Sequence, residues 1–145
     1  MSTTPRFYIA EPPPKYLPRP PIVVDCSTLS GILFLEPWQE AARQRLAGRS
    51  LYAPFNLQSE FCNVALEKAR RGATVAAAEG LAQFPEFGIE LLRIDIGEAF
   101  ELAQHYQLSA YDAAYLWLAA DLKCPLATFD ERLAAAAQAH LSGLD

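Results

Sequence analysis

Ile22-Val23-Val24-Asp25, held between Pro20-Pro21 and Cys26-Ser27-Thr28-Leu29, decides how the rest of the chain is read. Three consecutive branched apolar residues, set off by proline and closed by a carboxylate, predict a short strand buried on both faces. Ser27 or Thr28 then offers an oxygen to cap the first turn of a following helix. Asp25 thereby stands at the carboxyl end of a strand, where open α/β sheets hold their ligands.

Upstream of this stretch, residues 1–21 carry seven of the eleven prolines, including Pro12-Pro13-Pro14. Such a segment favours polyproline II geometry and is expected to join neither a helix nor a central strand. Phe7, Tyr8 and Ile9 are its one concentrated apolar anchor, and they are expected to pack on the domain or on a second copy of it. Downstream, an apolar stretch Leu29–Leu35 breaks near Glu36-Pro37, and a helix follows from Trp38 to Ala47. Leu51-Tyr52-Ala53 reads as a strand, and Asn56 as the cap of a helix running to Arg71. A helix over Val75–Phe84, a strand over Leu91–Ile94 and a helix over Gly97–Tyr106 capped by Asp95 come next. Ser109 caps an apolar helix ending near Lys123; Pro125–Thr128 reads as the last strand and Glu131–Leu141 as the last helix. Short apolar strands alternating with helices predict an α/β fold, a three-layer α/β/α sandwich around a short, mostly parallel sheet. The organisation expected is a proline-rich arm over 1–21 and one domain over 22–145.

With 145 residues, 52% hydrophobic and 20% charged, the chain suits a globular domain with a real core. No apolar run reaches the roughly 18 residues that span a bilayer. Prolines occupy the place where a signal peptide would need its apolar stretch, so a cytoplasmic protein is expected. Cys26, Cys62 and Cys124 lack CxxC spacing and sit in apolar contexts, which reads as buried thiols. The net charge of −5 argues against nucleic-acid binding by general counterion release. A nucleic-acid role would need a local basic patch, a metal ion, or both.

Four acids carry the functional reading. Asp25 and Asp130 follow strands, Asp112 lies in the first turn of a helix, and Glu60 sits on a helix among Phe61, Val64 and Ala65. Singly, each has an ordinary explanation as a cap, a turn acid or an exposed helix carboxylate. Together they project at one edge of the sheet. Two unit charges about 5 Å apart repel by roughly 3 kcal/mol at an effective dielectric near 20. Such a cluster calls for a cation, and oxygen-only ligands favour Mg²⁺ or Mn²⁺. An ion there could deprotonate a water and stabilise charge on a phosphoryl oxygen, which is the chemistry of phosphodiester hydrolysis.

The pieces Val24-Asp25-Cys26-Ser27, Glu60-Phe61-Cys62-Asn63, Tyr111-Asp112-Ala113-Ala114-Tyr115-Leu116 and Ala127-Thr128-Phe129-Asp130-Glu131-Arg132-Leu133 occur in family order. From about Ile22 to Leu141 the chain resembles the PIN-domain nucleases, and among them the VapC-type toxins of toxin–antitoxin pairs. The resemblance implies a metal-dependent endoribonuclease with Asp25, Glu60, Asp112 and Asp130 as both catalytic acids and metal ligands. It places Ser27, Asn63 and Thr128 as supporting residues. It also implies an RNA substrate, a homodimer and a cognate antitoxin that occludes the site. Two departures stand out: the proline-rich arm before the first strand, and a C-terminus, Gly143-Leu144-Asp145, that barely provides the closing strand of similar proteins.

Lys68, Arg70 and Arg71 form a weak candidate RNA-binding patch, equally well explained as cations at a helix C-terminus. His105 and His140 have no nucleophile nearby in sequence, so a Ser/His/Asp triad is not indicated. No glycine-rich phosphate loop is present. A phosphoacceptor domain would need a lysine after its last strand and paired acids near the first, which this chain lacks. A catalytically silent interaction module that keeps the acids for a basic partner is the remaining alternative.

Overall fold

The computed structural model describes residues 4–13, 19–34 and 39–144. Its sheet has five strands: β1 (Tyr8–Ala10), β2 (Pro21–Val24), β3 (Ser50–Pro54), β4 (Glu90–Leu92) and β5 (Leu126–Thr128), in the order β1-β5-β2-β3-β4. The helices are α1 (Cys26–Leu33), α2 (Gln39–Leu46), α3 (Asn56–Arg70), α4 (Thr74–Gln83), α5 (Ile96–Tyr106), α6 (Ala110–Leu122) and α7 (Glu131–Leu141). They flank the sheet as the outer layers of an α/β/α sandwich, with α6 and α7 packed on strands and on each other.

β2 lies in the middle, parallel to β3 on one side and β5 on the other. Ile22, Val23 and Val24 are completely buried, as a strand covered on both faces requires. Burying each such side chain contributes about 1.5–3 kcal/mol, which fixes β2 as the centre of the core. Pro21, which the arm's composition sets outside any central strand, is the first residue of β2. A missing N–H is tolerated at that position. α6 is apolar nearly all round and is buried at Ala113, Ala114, Tyr115, Leu116, Leu118 and Ala119. That fits a helix laid across β2, β3 and β5.

The arm is part of this sheet. β1 runs antiparallel to β5, with Tyr8 opposite Thr128 and Ala10 opposite Leu126. Phe7 continues the contact through its ring, 4.7 Å from that of Phe129. The antiparallel edge place beside β5 is thus taken by residues 8–10 of the N-terminal segment. A strand needs only an exposed ladder edge to join, and β5 offers one.

Local capping departs from the sequence reading in two places. Asp25, not Ser27 or Thr28, caps α1, its carboxylate accepting from the Thr28 N–H at 2.9 Å. Asn56 does not cap α3; the cap position is Phe55, without a side-chain bond, and the Asn56 amide is used elsewhere. Ser109 caps α6, Asp95 caps α5 and Asp130 caps α7. Of the thiols expected to be buried, Cys124 is buried, Cys26 half-buried and Cys62 exposed. Position 62 follows Phe61 on α3 and so faces away from the core that Phe61 enters. The expected break at Glu36-Pro37 and helix start at Trp38 lie outside the described residues. On the α1–α4 side, rings of Phe34, Phe61 and Phe84 follow one another at 5.2 and 4.8 Å. A Cβ at Gly80 would stand 2.5 Å from the Phe34 ring, so only glycine admits this approach of α4 to α1.

Candidate active site

Parallel strands β2 and β3 end at the same edge of the sheet, and the candidate acids gather from there. Asp25 follows β2 directly and is 4% exposed. Its Oδ1 accepts from the Thr28 N–H and hydroxyl, at 2.9 and 3.0 Å. The Ser27 hydroxyl reaches both carboxylate oxygens, at 2.8 and 3.0 Å, and the Thr128 hydroxyl donates to Oδ2. These hydroxyls are oriented from behind. The Phe129 N–H donates to Ser27 Oγ and the Asp130 N–H to Thr128 Oγ1, each at 2.9 Å. Each hydroxyl oxygen therefore accepts from the β5–α7 corner and turns its own proton toward Asp25. Burial pushes the Asp25 carboxyl above its ordinary range, against the bonds from Thr128, Thr28 and Ser27 that favour its charged form.

Glu60, on the second turn of α3, has Oε2 held by the Asn56 amide at 2.6 Å and the Tyr115 hydroxyl at 2.7 Å. Tyr115 is buried on α6, and burial and then Glu60 push its phenol up. It therefore stays a donor. Sequence reasoning assigned neither Asn56 nor Tyr115 to the site. The available signal was spacing: Asn56 precedes Glu60 by one helical turn, and Tyr115 follows Asp112 by three residues.

Asp112 is half-buried in the first turn of α6, with its N–H on Ser109 Oγ at 3.1 Å. Its carboxyl is pushed up to about 6, first by burial and then by the charges of Asp130, Asp25 and Glu60. The other three acids thus all act on Asp112. Asp130 is exposed and caps α7 through the Leu133 N–H at 2.9 Å. Among the described residues, however, no three Asp, Glu, His or Cys side chains stand grouped as a ready metal cage. Asp25 and Asp130 are engaged as caps, and Glu60 is tied to Asn56 and Tyr115. The four share a field without closing on a point.

The supporting residues divide. Ser27 and Thr128 hold Asp25 directly, whereas Asn63 is exposed and makes no hydrogen bond to the acids. The basic candidates lie elsewhere. Lys68 sits over the Phe34 ring at 5.1 Å, and Arg70 and Arg71 are exposed at the far end of α3. Ten residues of helix, about 15 Å, separate Arg70 from Glu60. Trp117, expected as a core or dimer contact, is half-buried and donates its indole N–H to Glu98 at 2.6 Å. His140 pairs with the Tyr106 hydroxyl at 3.1 Å, away from the acids. No described helix is long and apolar enough to cross a membrane.

Residues 22–139 match the family model described as PIN domain. A comparison with curated protein sequences gives no significant match. Among solved structures, the crystal structure of PAE2754 from Pyrobaculum aerophilum superposes with a TM-score of 0.65 at 23% identity. It covers 81% of this chain and 84% of that one. At that identity the likeness is one of fold.

Proposed function

The chain belongs to the PIN-domain family, whose members are generally nucleases using divalent metals, and from that premise we propose that it is a Mg²⁺- or Mn²⁺-dependent endoribonuclease. One observation carries the reading: burial, and then the charges of three other carboxylates, lift Asp112 to about 6 at the carboxyl edge of the sheet. Like charges held close are costly in a folded protein, and a site that keeps four of them is suited to a counter-ion. The donors are carboxylate oxygens only, which fits a hard divalent cation. Asp25, Glu60, Asp112 and Asp130 are the residues that would hold it. When bound, such an ion supplies an activated water and a counter-charge for a phosphoryl oxygen.

The chain's own contribution is preorganisation. Ser27 and Thr128 fix the Asp25 carboxylate, and their backbone donors from Phe129 and Asp130 fix them in turn. Asn56 and Tyr115 fix Glu60. We assign the protein, on the same premise, to the VapC-type toxins: a homodimer acting on RNA in the cytoplasm and restrained by a cognate antitoxin. Its basic side chain would enter the acidic site.

A second reading draws on the absence of a ready metal cage among the described acids. There the acids serve only to bind a basic partner. Incubation of the purified protein with tRNA and rRNA, with Mg²⁺ or Mn²⁺ and with EDTA, separates the two. Cleavage that needs the metal and stops with EDTA is expected. Intact RNA under all conditions leaves the silent module as the reading.

A further inference from the structure

We propose that Phe55 and Tyr111 form a platform on which unpaired RNA bases stack at the rim of the acid site. This rests on the endoribonuclease reading and adds to it how substrate is gripped. Both rings are large, apolar and open to solvent: Phe55 is 55% exposed and Tyr111 62%. Folding has not used them, although the neighbouring Tyr115 and Phe61 are buried to within 2%.

Their placement follows from Glu60. Its Oε2 joins the N-terminal parts of two helices, taking the Asn56 amide of α3 and the Tyr115 hydroxyl of α6. Phe55 immediately precedes Asn56, at the carboxyl end of β3. Tyr111 lies four residues before Tyr115, on the same helical face, and next to Asp112. Phe55 is therefore next to one residue that touches Glu60, and Tyr111 about one turn from the other. Along the chain, one ring thus precedes Glu60 and the other precedes Asp112.

Four of the arginines are turned toward the protein itself. Arg43 lies over the Phe87 ring and Arg45 over Phe7, at 5.4 and 5.7 Å. Arg49 stands 4.0 Å from Glu11, and Arg132 donates to the Gln107 carbonyl at 2.7 Å. With a net charge of −5, these four cations engaged, and the exposed Arg70 and Arg71 about 15 Å along the helix from Glu60, phosphate attraction beside the acids is a weak source of affinity. Stacking on aromatic rings does not depend on charge, and it selects single strands because a paired base shows no free face. The occupant that fits exposed aromatic rings beside phosphodiester-cleaving acids is a single-stranded RNA segment.

The test uses the full chain in EDTA, where no cleavage intervenes, and a short single-stranded RNA carrying 2-aminopurine. Stacking quenches its fluorescence. Wild type is expected to quench, with Phe55→Ala and Tyr111→Ala each weakening binding roughly tenfold or more. Phe55→Trp and Tyr111→Phe should restore it, which a merely structural role would not require. A duplex of the same sequence should bind more weakly. Unquenched probe with wild type, or alanine variants that bind as wild type does, overturns the platform. So does a fall in oligomeric mass on sedimentation in the alanine variants without loss of quenching, since the rings would then cover a second copy. The nuclease reading stands or falls separately, on metal-dependent cleavage by the wild type.

Discussion

The corner between β2 and α1 and the corner between β4 and α5 begin alike. Each turns from strand to helix through an aspartate, Asp25 or Asp95, whose carboxylate accepts from a backbone N–H three residues on, at 2.9 Å in both. Asp95 is exposed and does no more than cap. Asp25 is buried and receives further hydroxyls from Ser27, Thr28 and Thr128, the last from 103 residues away. The same local device becomes a different chemical group once tertiary contacts remove water from it. Capping is a property of neighbours in sequence; an activated carboxylate is a property of neighbours in space.

The largest expected effect tests that contrast directly. Asparagine caps as well as aspartate does, so Asp25→Asn should fold and yet lose RNA cleavage by more than about a hundredfold, beyond the usual cost of disturbing a supporting group. Asp95→Asn should cleave as wild type. Equal activity of the two variants in a metal-supplemented RNA assay would erase the distinction. Next comes Thr128→Val, which keeps the shape but removes the hydroxyl between Asp25 and the Asp130 N–H. A loss of roughly 10–100-fold in cleavage is expected.

A smaller effect is thermodynamic. With the Asp112 pKa near 6 in the fold and 3.8 ordinarily, the folded protein keeps a proton there that the unfolded chain releases. Its charge therefore weakens the fold above about pH 6, and that penalty fades as pH falls toward 4. Asp112→Asn, melted in EDTA at pH 7.5, should gain about 1 kcal/mol after allowance for solvent screening. That corresponds to roughly 2–4 °C in Tm. The gain should vanish near pH 4, and a variant no more stable at pH 7.5 would show that neither burial nor the neighbouring acids raise this carboxyl. The smallest change is expected from Arg70→Ala with Arg71→Ala, because helix α3 carries them away from Glu60. The salt dependence of RNA binding should barely move; a clear drop in its slope would bring the patch back into the interface.

The buried run of β2, the apolar α6 and the caps at Asp95, Ser109 and Asp130 were legible because each depends on a short window of chain. So was the family order of the four acid-bearing pieces. Phe7-Tyr8-Ile9 was legible as an apolar anchor but Tyr8–Ala10 not as a strand, since its ladder partner lies at 126–128 and three residues carry no period of their own. Asn56 was misread for a related reason. Its side chain had two uses, the helix end and Glu60, and the choice was settled by Tyr115 arriving from α6 at the same oxygen. Asn63 shows the converse: one turn from Glu60 in sequence, it faces solvent, because the carboxylate bends toward the N-terminal turn of its helix.

The position of β1 means that residues 7–10 help to hold the chemistry in place. Tyr8 pairs with Thr128, whose hydroxyl donates a hydrogen bond to Asp25, and Phe7 braces the Phe129 ring just beyond. Stripped of that flanking ribbon, β5 would become the fraying border of the sheet, and the hydroxyl it carries would lose its anchorage. A protease nick or a bulky fusion near the amino terminus would then act as a remote dimmer on catalysis, with every acid still intact.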